Sequence, residues 1–365
     1  MTYRVAILGG YGNFGGYIAR ALANNPTIEL IICGRNLNKA EAFAASLDGF
    51  NRASGAVVDI DDPQETLAAI APDLVVHTVG PFQSQDYRVP KAALACGAHY
   101  CDLADARGFV AGIGALDEAA KTKGRAVIAG ASSVPCLTAA YMDEASKELR
   151  IHRVEYGISA AQQTNRGLGT ASAILSYVGQ AFTQLRDGEM AQVHGWQGLR
   201  QIKYPQLGRR WFGYCDIPDL DIFPRRYPQL KDHTFVAGHE IASLHFGTWL
   251  LSWGVRLGVL PTLSRWSGFL LKSSFLFDFL GSDRSGFHMF IDGVDRHGNA
   301  VTQKYWLIAR QGHGPNIPCM PAILIAKRLA AGEVIEPGAR PCLDLITLDE
   351  YLGALGGLDI EAISE

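Results

Sequence analysis

Short apolar runs alternate with segments of helical period along residues 1–150. Arg4-Val-Ala-Ile-Leu8 predicts a strand, Phe14 to Ala23 a helix, Leu30 to Cys33 a strand and Leu37 to Leu47 a helix. Ala56 to Asp59 follows as a strand, and Asp62-Pro63 offers an N-cap and a first-turn proline for a helix to Ile70. The pattern continues with strand Leu74 to Val79, helix Val89 to Cys96, strand His99 to Asp102, a helix ending near Gly124, and strand Arg125 to Ala129. Strands separated by helices at this spacing predict an α/β fold with a parallel, doubly wound sheet.

After Leu149 the pattern changes. Ile151 to Ala160 alternates as a half-buried strand, Leu168 to Phe182 has helical period, and Phe287 to Asp295 with Ala300 to Arg310 predicts a hairpin around Asp295-Arg-His-Gly-Asn299. These elements predict a second, α+β domain. The last part returns to helix: Pro321 can open one through Leu329, and Thr347-Leu-Asp-Glu350 is a capping box. The expected organisation is therefore a parallel α/β domain over 1–135, an α+β domain over 136–315, and C-terminal helices over 316–365.

Composition narrows the class of function. Of 365 residues, 48% are hydrophobic and 19% charged, enough apolar material for a conventional core. Basic and acidic residues nearly balance, at 33 and 36, so the chain has no overall electrostatic footprint for nucleic acid, and a small-molecule substrate is expected. The seven cysteines are odd in number, far apart and without a C-x-x-C pair, which predicts buried thiols in a cytoplasmic protein rather than disulfides or a metal site. Ile241 to Leu280 is the most apolar stretch, but Arg256, Arg265, Lys272 and Asp278 interrupt it and Pro261 divides it. No window supplies the ~20 nearly uncharged residues of a membrane span. Two amphipathic helices forming a homodimer interface or an apolar pocket are expected there, with peripheral membrane contact as the alternative.

Gly10-Tyr-Gly12-Asn13-Phe14-Gly15 is a G-x-G-x-x-G sequence between the first predicted strand and helix. In that position the first glycine permits the turn, the second admits a pyrophosphate against the backbone, and the third lets helix and strand approach closely. At the end of the second strand, where an NAD site holds a carboxylate, stand Gly34-Arg35-Asn36 with Lys39 one turn later. Arginine there suits the 2′-phosphate of NADP. Asp59 is placed either to meet the adenine edge or to close a turn with Asp61 and Asp62. Val79-Gly80-Pro81-Phe82, at the end of the fourth strand, is expected along the nicotinamide half of the cofactor.

Gly9-Gly-Tyr-Gly-Asn-Phe-Gly-Gly16, Val79-Gly-Pro-Phe82, Ala95-Cys-Gly-Ala-His-Tyr-Cys-Asp102 and Gly130-Ala-Ser-Ser-Val-Pro135 together resemble the saccharopine dehydrogenase (saccharopine reductase) family. The resemblance continues in Gly167-Leu-Gly-Thr170, Ser282-Asp-Arg-Ser-Gly-Phe287 and Gly312-His-Gly-Pro315, and is patchy between Gln184 and Ile241. It implies a Rossmann domain, a substrate domain that often carries the dimer contact, and NADP-dependent hydride transfer to or from a C–N bond of an amino-acid-derived substrate. This chain departs from the family in one place: His99-Tyr-Cys-Asp102-Leu-Ala-Asp105 lacks the glutamate usual after such a stretch, and Asp105 stands one residue early.

Imine reduction needs a proton beside the hydride, and histidines or buried carboxyls can supply it. Asp102 and Asp105 follow the fifth strand on the crevice side of the sheet, and His313 lies in a glycine-flanked loop. Asp102 could equally cap a turn or bond the ribose, while Asp105 and His313 could be solvated. His77, inside a strand, reads as a hydrogen-bonded core residue. Neither Ser132 nor Ser133 has a G-x-S-x-G elbow, and no histidine spacing fits a metal site. Two alternatives stay open beside C–N chemistry: an enoyl-reductase-like enzyme on an apolar substrate, and a nucleotide-binding protein without turnover.

Overall fold

The structure, a computed structural model, describes residues 2–365. The chain divides into two compact units, Met1–Leu137 with Asn316–Ala354 and Thr138–Pro315 with Leu355–Glu365.

The first unit is built on β1 (Tyr3–Leu8), β2 (Ile28–Gly34), β3 (Ser54–Val57), β4 (Leu74–His77), β5 (His99–Asp102) and β6 (Ala126–Ala129). With the strand Gly338–Pro341 they form a parallel sheet of seven, in the order Gly338–Pro341, β6, β5, β4, β1, β2, β3. Val5 through Leu8 and all of β4 and β6 are buried. That explains their unbroken apolar character, since helices cover both faces of a parallel sheet. The strand order reverses between β1 and β4, and open sheets of this type bind ligands at the carboxyl ends of the strands flanking such a reversal. Helices α1 (Asn13–Ala23) and α2 (Leu37–Ala45) follow β1 and β2. The capping box forms as the sequence predicts: the Glu350 amide donates to Thr347 Oγ1 (3.3 Å), and the Thr347 amide donates to the Glu350 carboxylate (2.9 Å).

The second unit holds β7 (Leu149–Ala160), the hairpin β8 (Ala181–Arg186) and β9 (Glu189–His194), then β10 (Arg200–Tyr204), β11 (Gly208–Tyr214), β12 (Asp232–His239), β13 (Ser285–Asp295) and β14 (Ala300–Ala309). Its main sheet runs β10, β11, β12, β7, β13, β14 and Ile360–Ser364, with β12 and β7 parallel and the other neighbours antiparallel.

Three segments differ from the sequence reading. The helix from Leu168 stops at Tyr177, and Ala181–Arg186 is a strand. Gly179, at φ +74°, turns the chain so close to the Ser252 carbonyl that a Cβ would lie 2.5 Å from it. Asp59 lies beyond its strand, because β3 ends at Val57. The tail is not helical throughout: Ile360–Ser364 pairs with β14, placing Tyr305 opposite Ser364 and Ala309 opposite Ile360.

A polar cluster sits inside the second unit. Asp219 is fully buried, and its Oδ2 accepts hydrogen bonds from Thr138 Oγ1 (2.6 Å) and the Tyr156 hydroxyl (2.7 Å), which also lies 2.8 Å from His233 Nε2. Burial pushes the carboxyl up to about 7 against those two donors. A group that holds its proton more tightly when folded favours the native state fully below its unfolded pKa near 3.9, and that contribution is lost as pH rises through the folded value. The thermal midpoint is therefore expected to fall between about pH 4 and pH 7 through this residue, and Asp219→Asn, which cannot ionise, should flatten the slope and raise the midpoint near pH 8. Thermal melts of the two proteins across that range check this; parallel curves would show that Asp219 contributes no pH dependence.

Candidate active site

The β1–α1 turn is held against the end of β2. The Gly9 and Gly10 amides both donate to the Cys33 carbonyl (2.9 and 3.1 Å), and Gly9 takes φ +76°. Gly12 caps α1 with no side-chain bond, so the helix presents its positive end and first-turn amides beside a residue that adds no bulk. The glycines differ in what the protein itself demands of them. At Gly15 a Cβ would be driven into the Gly9 carbonyl oxygen, and at Gly10 it would lie 2.9 Å from the Ile7 oxygen. At Gly12 it would meet only the Gly9 oxygen, at 3.0 Å, with nothing else within 4 Å. Gly15 thus serves helix–strand packing, whereas the space over Gly12 is open and fits a pyrophosphate. Asn13 and Phe14 form the first helical turn.

At the end of β2 the Tyr11 ring covers Gly34 so closely that a side chain there would have to push the ring aside, and its hydroxyl accepts from the Asn36 amide (3.3 Å). The Asn36 side chain caps α2, accepting from the Lys39 amide at 3.0 Å, so its oxygen serves the helix. Arg35 and Lys39 are exposed and form no ion pair among the described residues. Two cations therefore flank the strand end where a carboxylate would select NAD. Asp59 Oδ1 accepts from the Asp61 amide (3.0 Å), the local turn that its spacing allowed.

The loops after β4, β5 and β6 form the other side of this edge. Gly80–Pro81 is a cis peptide, and Gln85 Nε2 donates to the Val79 and Pro81 carbonyls (2.7 and 3.1 Å), which fixes the Val79–Phe82 turn. Phe82 is buried between His77 and Phe109, at ring distances of 4.9 and 5.3 Å. His77 is a core residue: Nδ1 lies 3.0 Å from the Tyr100 hydroxyl, and burial lowers its pKa to about 3, so the ring is neutral. Asp102, opposite His77 in the β4–β5 register, is also fully buried. Its Oδ1 accepts from the Ala104 and Gly130 amides (2.9 and 2.8 Å), tying the loop after β5 to the loop after β6. Burial raises its carboxyl to about 6 despite those bonds. Asp105 is half-buried; Gln83 Nε2 donates to its Oδ1 at 3.1 Å, and burial pushes its pKa up against that donor.

The first unit thus gathers the glycine turn, Arg35, Asn36 and Lys39 at one strand end, and the Val79–Phe82 turn, Asp102 and Asp105 around β4 and β5. His313 belongs to the second unit, where its Nδ1 accepts from the Asp359 amide (2.9 Å).

Residues 5–156 match the family model for the saccharopine dehydrogenase NADP binding domain. The match spans β1 to β6 of the first unit, and it identifies the protein as an NAD(P)-dependent oxidoreductase. In fold, the chain is similar to the apo saccharopine dehydrogenase (L-Glu forming) of Saccharomyces cerevisiae, at 13% identity and a TM-score of 0.66, with both chains covered completely. It is also similar to homospermidine synthase from Legionella pneumophila, solved in complex with NAD, at 12% identity and a TM-score of 0.58, covering 100% of this chain and 91% of that one. At such identities the likeness is one of fold. No curated protein matches the sequence.

Four residues of the first unit escaped the sequence reading: Tyr11, Gln83, Gln85 and Tyr100. Tyr11 had a signal in its place inside the glycine motif. The two glutamines had none, because each acts on a loop carbonyl or carboxylate that only the folded turn brings near.

Proposed function

We propose that the protein is an NADP-dependent reductase or dehydrogenase of a C–N bond in an amino-acid-derived substrate. The observation that supports this most is Asp105: a half-buried carboxyl with a raised pKa, held by Gln83 at the carboxyl edge of the sheet, one loop from the turn that would carry the nicotinamide. Gly10, Gly12 and Gly15 with Asn13 and Phe14 would hold the pyrophosphate, Arg35 and Lys39 the 2′-phosphate, and Val79, Gly80, Pro81 and Phe82 the nicotinamide half. The bound cofactor supplies or accepts hydride. In the reductive direction the carbon of the C=N bond gains that hydride while its nitrogen takes a proton from Asp105, leaving a carboxylate. Asp102 positions Asp105: with no exposed surface it cannot touch substrate, but it locks the loop that carries Asp105.

Amino-acid-derived imines and enoyl substrates, each followed by NADPH absorbance, test the reading. Oxidation with imines supports it; oxidation with enoyl compounds alone would replace it with the second chemistry, and cofactor binding without turnover on either would make the protein a nucleotide binder. Arg35→Asp removes a charge-assisted contact worth about 1.5–3 kcal/mol, so NADP affinity should drop roughly ten- to a hundredfold while NAD affinity holds or improves. Titration of both cofactors reads this directly, and equal wild-type affinities would remove NADP as the cofactor.

A further inference from the structure

The helices Ala242–Arg256 and Ser267–Ser274 are partly buried in the second unit, where Val255 joins Leu263, Val178 and Trp196 in a core cluster and Leu270 packs against it, while the turn Phe275–Leu280 buries no residue. Much of what remains is apolar and uncovered. Leu250 is 66% exposed, Phe269 72%, Leu276 73% and Phe279 79%, and Trp266 stands among them at 43%. Single exposed apolar residues are ordinary, but this concentration in one stretch exceeds what a soluble surface carries without a purpose.

The charges in the same stretch say what kind of surface would cover it. Arg256, Arg265 and Lys272 are all exposed, and among the described residues none forms an ion pair. The single carboxylate, Asp278, is already engaged by Arg166 and by Gln162 Nε2. The chain as a whole has a net charge of −3, so this face is basic on an acidic protein. A second copy would set cations against cations with no free carboxylate to pair them. An anionic lipid surface meets both demands: acyl chains take the leucines and phenylalanines, phosphates take the cations, and an indole suits the boundary. Among the described residues no helix is long and apolar enough to cross a membrane, so the segment would lie on the bilayer rather than span it.

We infer that the 241–280 face of the second unit docks the protein peripherally on anionic phospholipid. The test is flotation of the full chain with vesicles of equal parts phosphatidylcholine and phosphatidylglycerol, beside vesicles of phosphatidylcholine alone. The protein should float with the anionic vesicles, release in high salt, and stay behind with the neutral ones. Replacing the cations (Arg256→Gln, Arg265→Gln and Lys272→Gln together) should weaken partition roughly a hundredfold. Leu276→Ser with Phe279→Ser should abolish it, while the thermal midpoint and NADPH titration stay as in the parent. Absence of flotation on anionic vesicles, or equal flotation on neutral ones, overturns the inference. So does light scattering that finds a dimer in the parent and a monomer in the Leu276→Ser, Phe279→Ser protein, because a second copy would then be the cover.

Discussion

Gly12→Val is expected to abolish NADPH binding while leaving the thermal transition close to that of the parent. The argument rests on what surrounds the position. Gly12 has φ −80° and ψ −178°, an extended conformation that valine adopts without strain. A Cβ there meets one carbonyl oxygen at 3.0 Å and then open space, so the protein accommodates the branch once the Gly9 carbonyl gives by a small fraction of an ångström. The cofactor cannot, because its pyrophosphate must approach the backbone through that space. Loss of two charge-assisted hydrogen bonds, at about 1.5–3 kcal/mol each, already weakens binding at least about a hundredfold. Gly15→Ala is the contrasting variant: its Cβ enters the Gly9 carbonyl, so the fold itself should soften. NADPH titration and a melt on each variant separate the two cases; normal NADPH affinity in a folded Gly12→Val protein would place the cofactor elsewhere.

Asp105→Asn should lower turnover on an identified substrate by roughly 10²–10⁴-fold, the usual contribution of a general acid or base, with NADPH affinity unchanged. Asparagine keeps an oxygen for Gln83 and cannot give up a proton as the carboxylic acid does. Because burial holds the Asp105 pKa above its ordinary value, reductive turnover should decline as pH rises past that raised pKa and the acid form is lost. The variant should lack that alkaline limb. Asp102→Asn acts differently: it should shift the rate through loop position without removing the limb. Full turnover in Asp105→Asn would release the residue from the proton's path and move attention to His313→Gln.

Much of the nucleotide site was written in local sequence. The G-x-G-x-x-G turn, the strand ending at Gly34 just before Arg35 and the Thr347–Glu350 capping box depend on backbone freedom and hydrogen bonds within a few residues, so pattern and spacing suffice to find them. The buried runs of β1, β4 and β6 likewise announce a parallel sheet covered on both faces.

Other features depend on partners distant in sequence. Ile360–Ser364 is a strand because β14 offers it an edge, while a five-residue segment by itself has no period strong enough to choose. Asp102 and Asp105 stand three residues apart in the sequence; burial and the Gly130 amide make one a brace, and the other lies partly exposed beside Gln83. His313 lies in a glycine-flanked loop, yet Asp359, far along the chain, donates its amide to the ring. Sequence by itself determined the elements and the nucleotide turn, because those follow from local backbone preference and the period of apolar residues. Tertiary structure alone decided which carboxyls are buried, which amides they hold and how far their protons are retained, because desolvation and hydrogen bonding depend on neighbours that only the folded chain assembles.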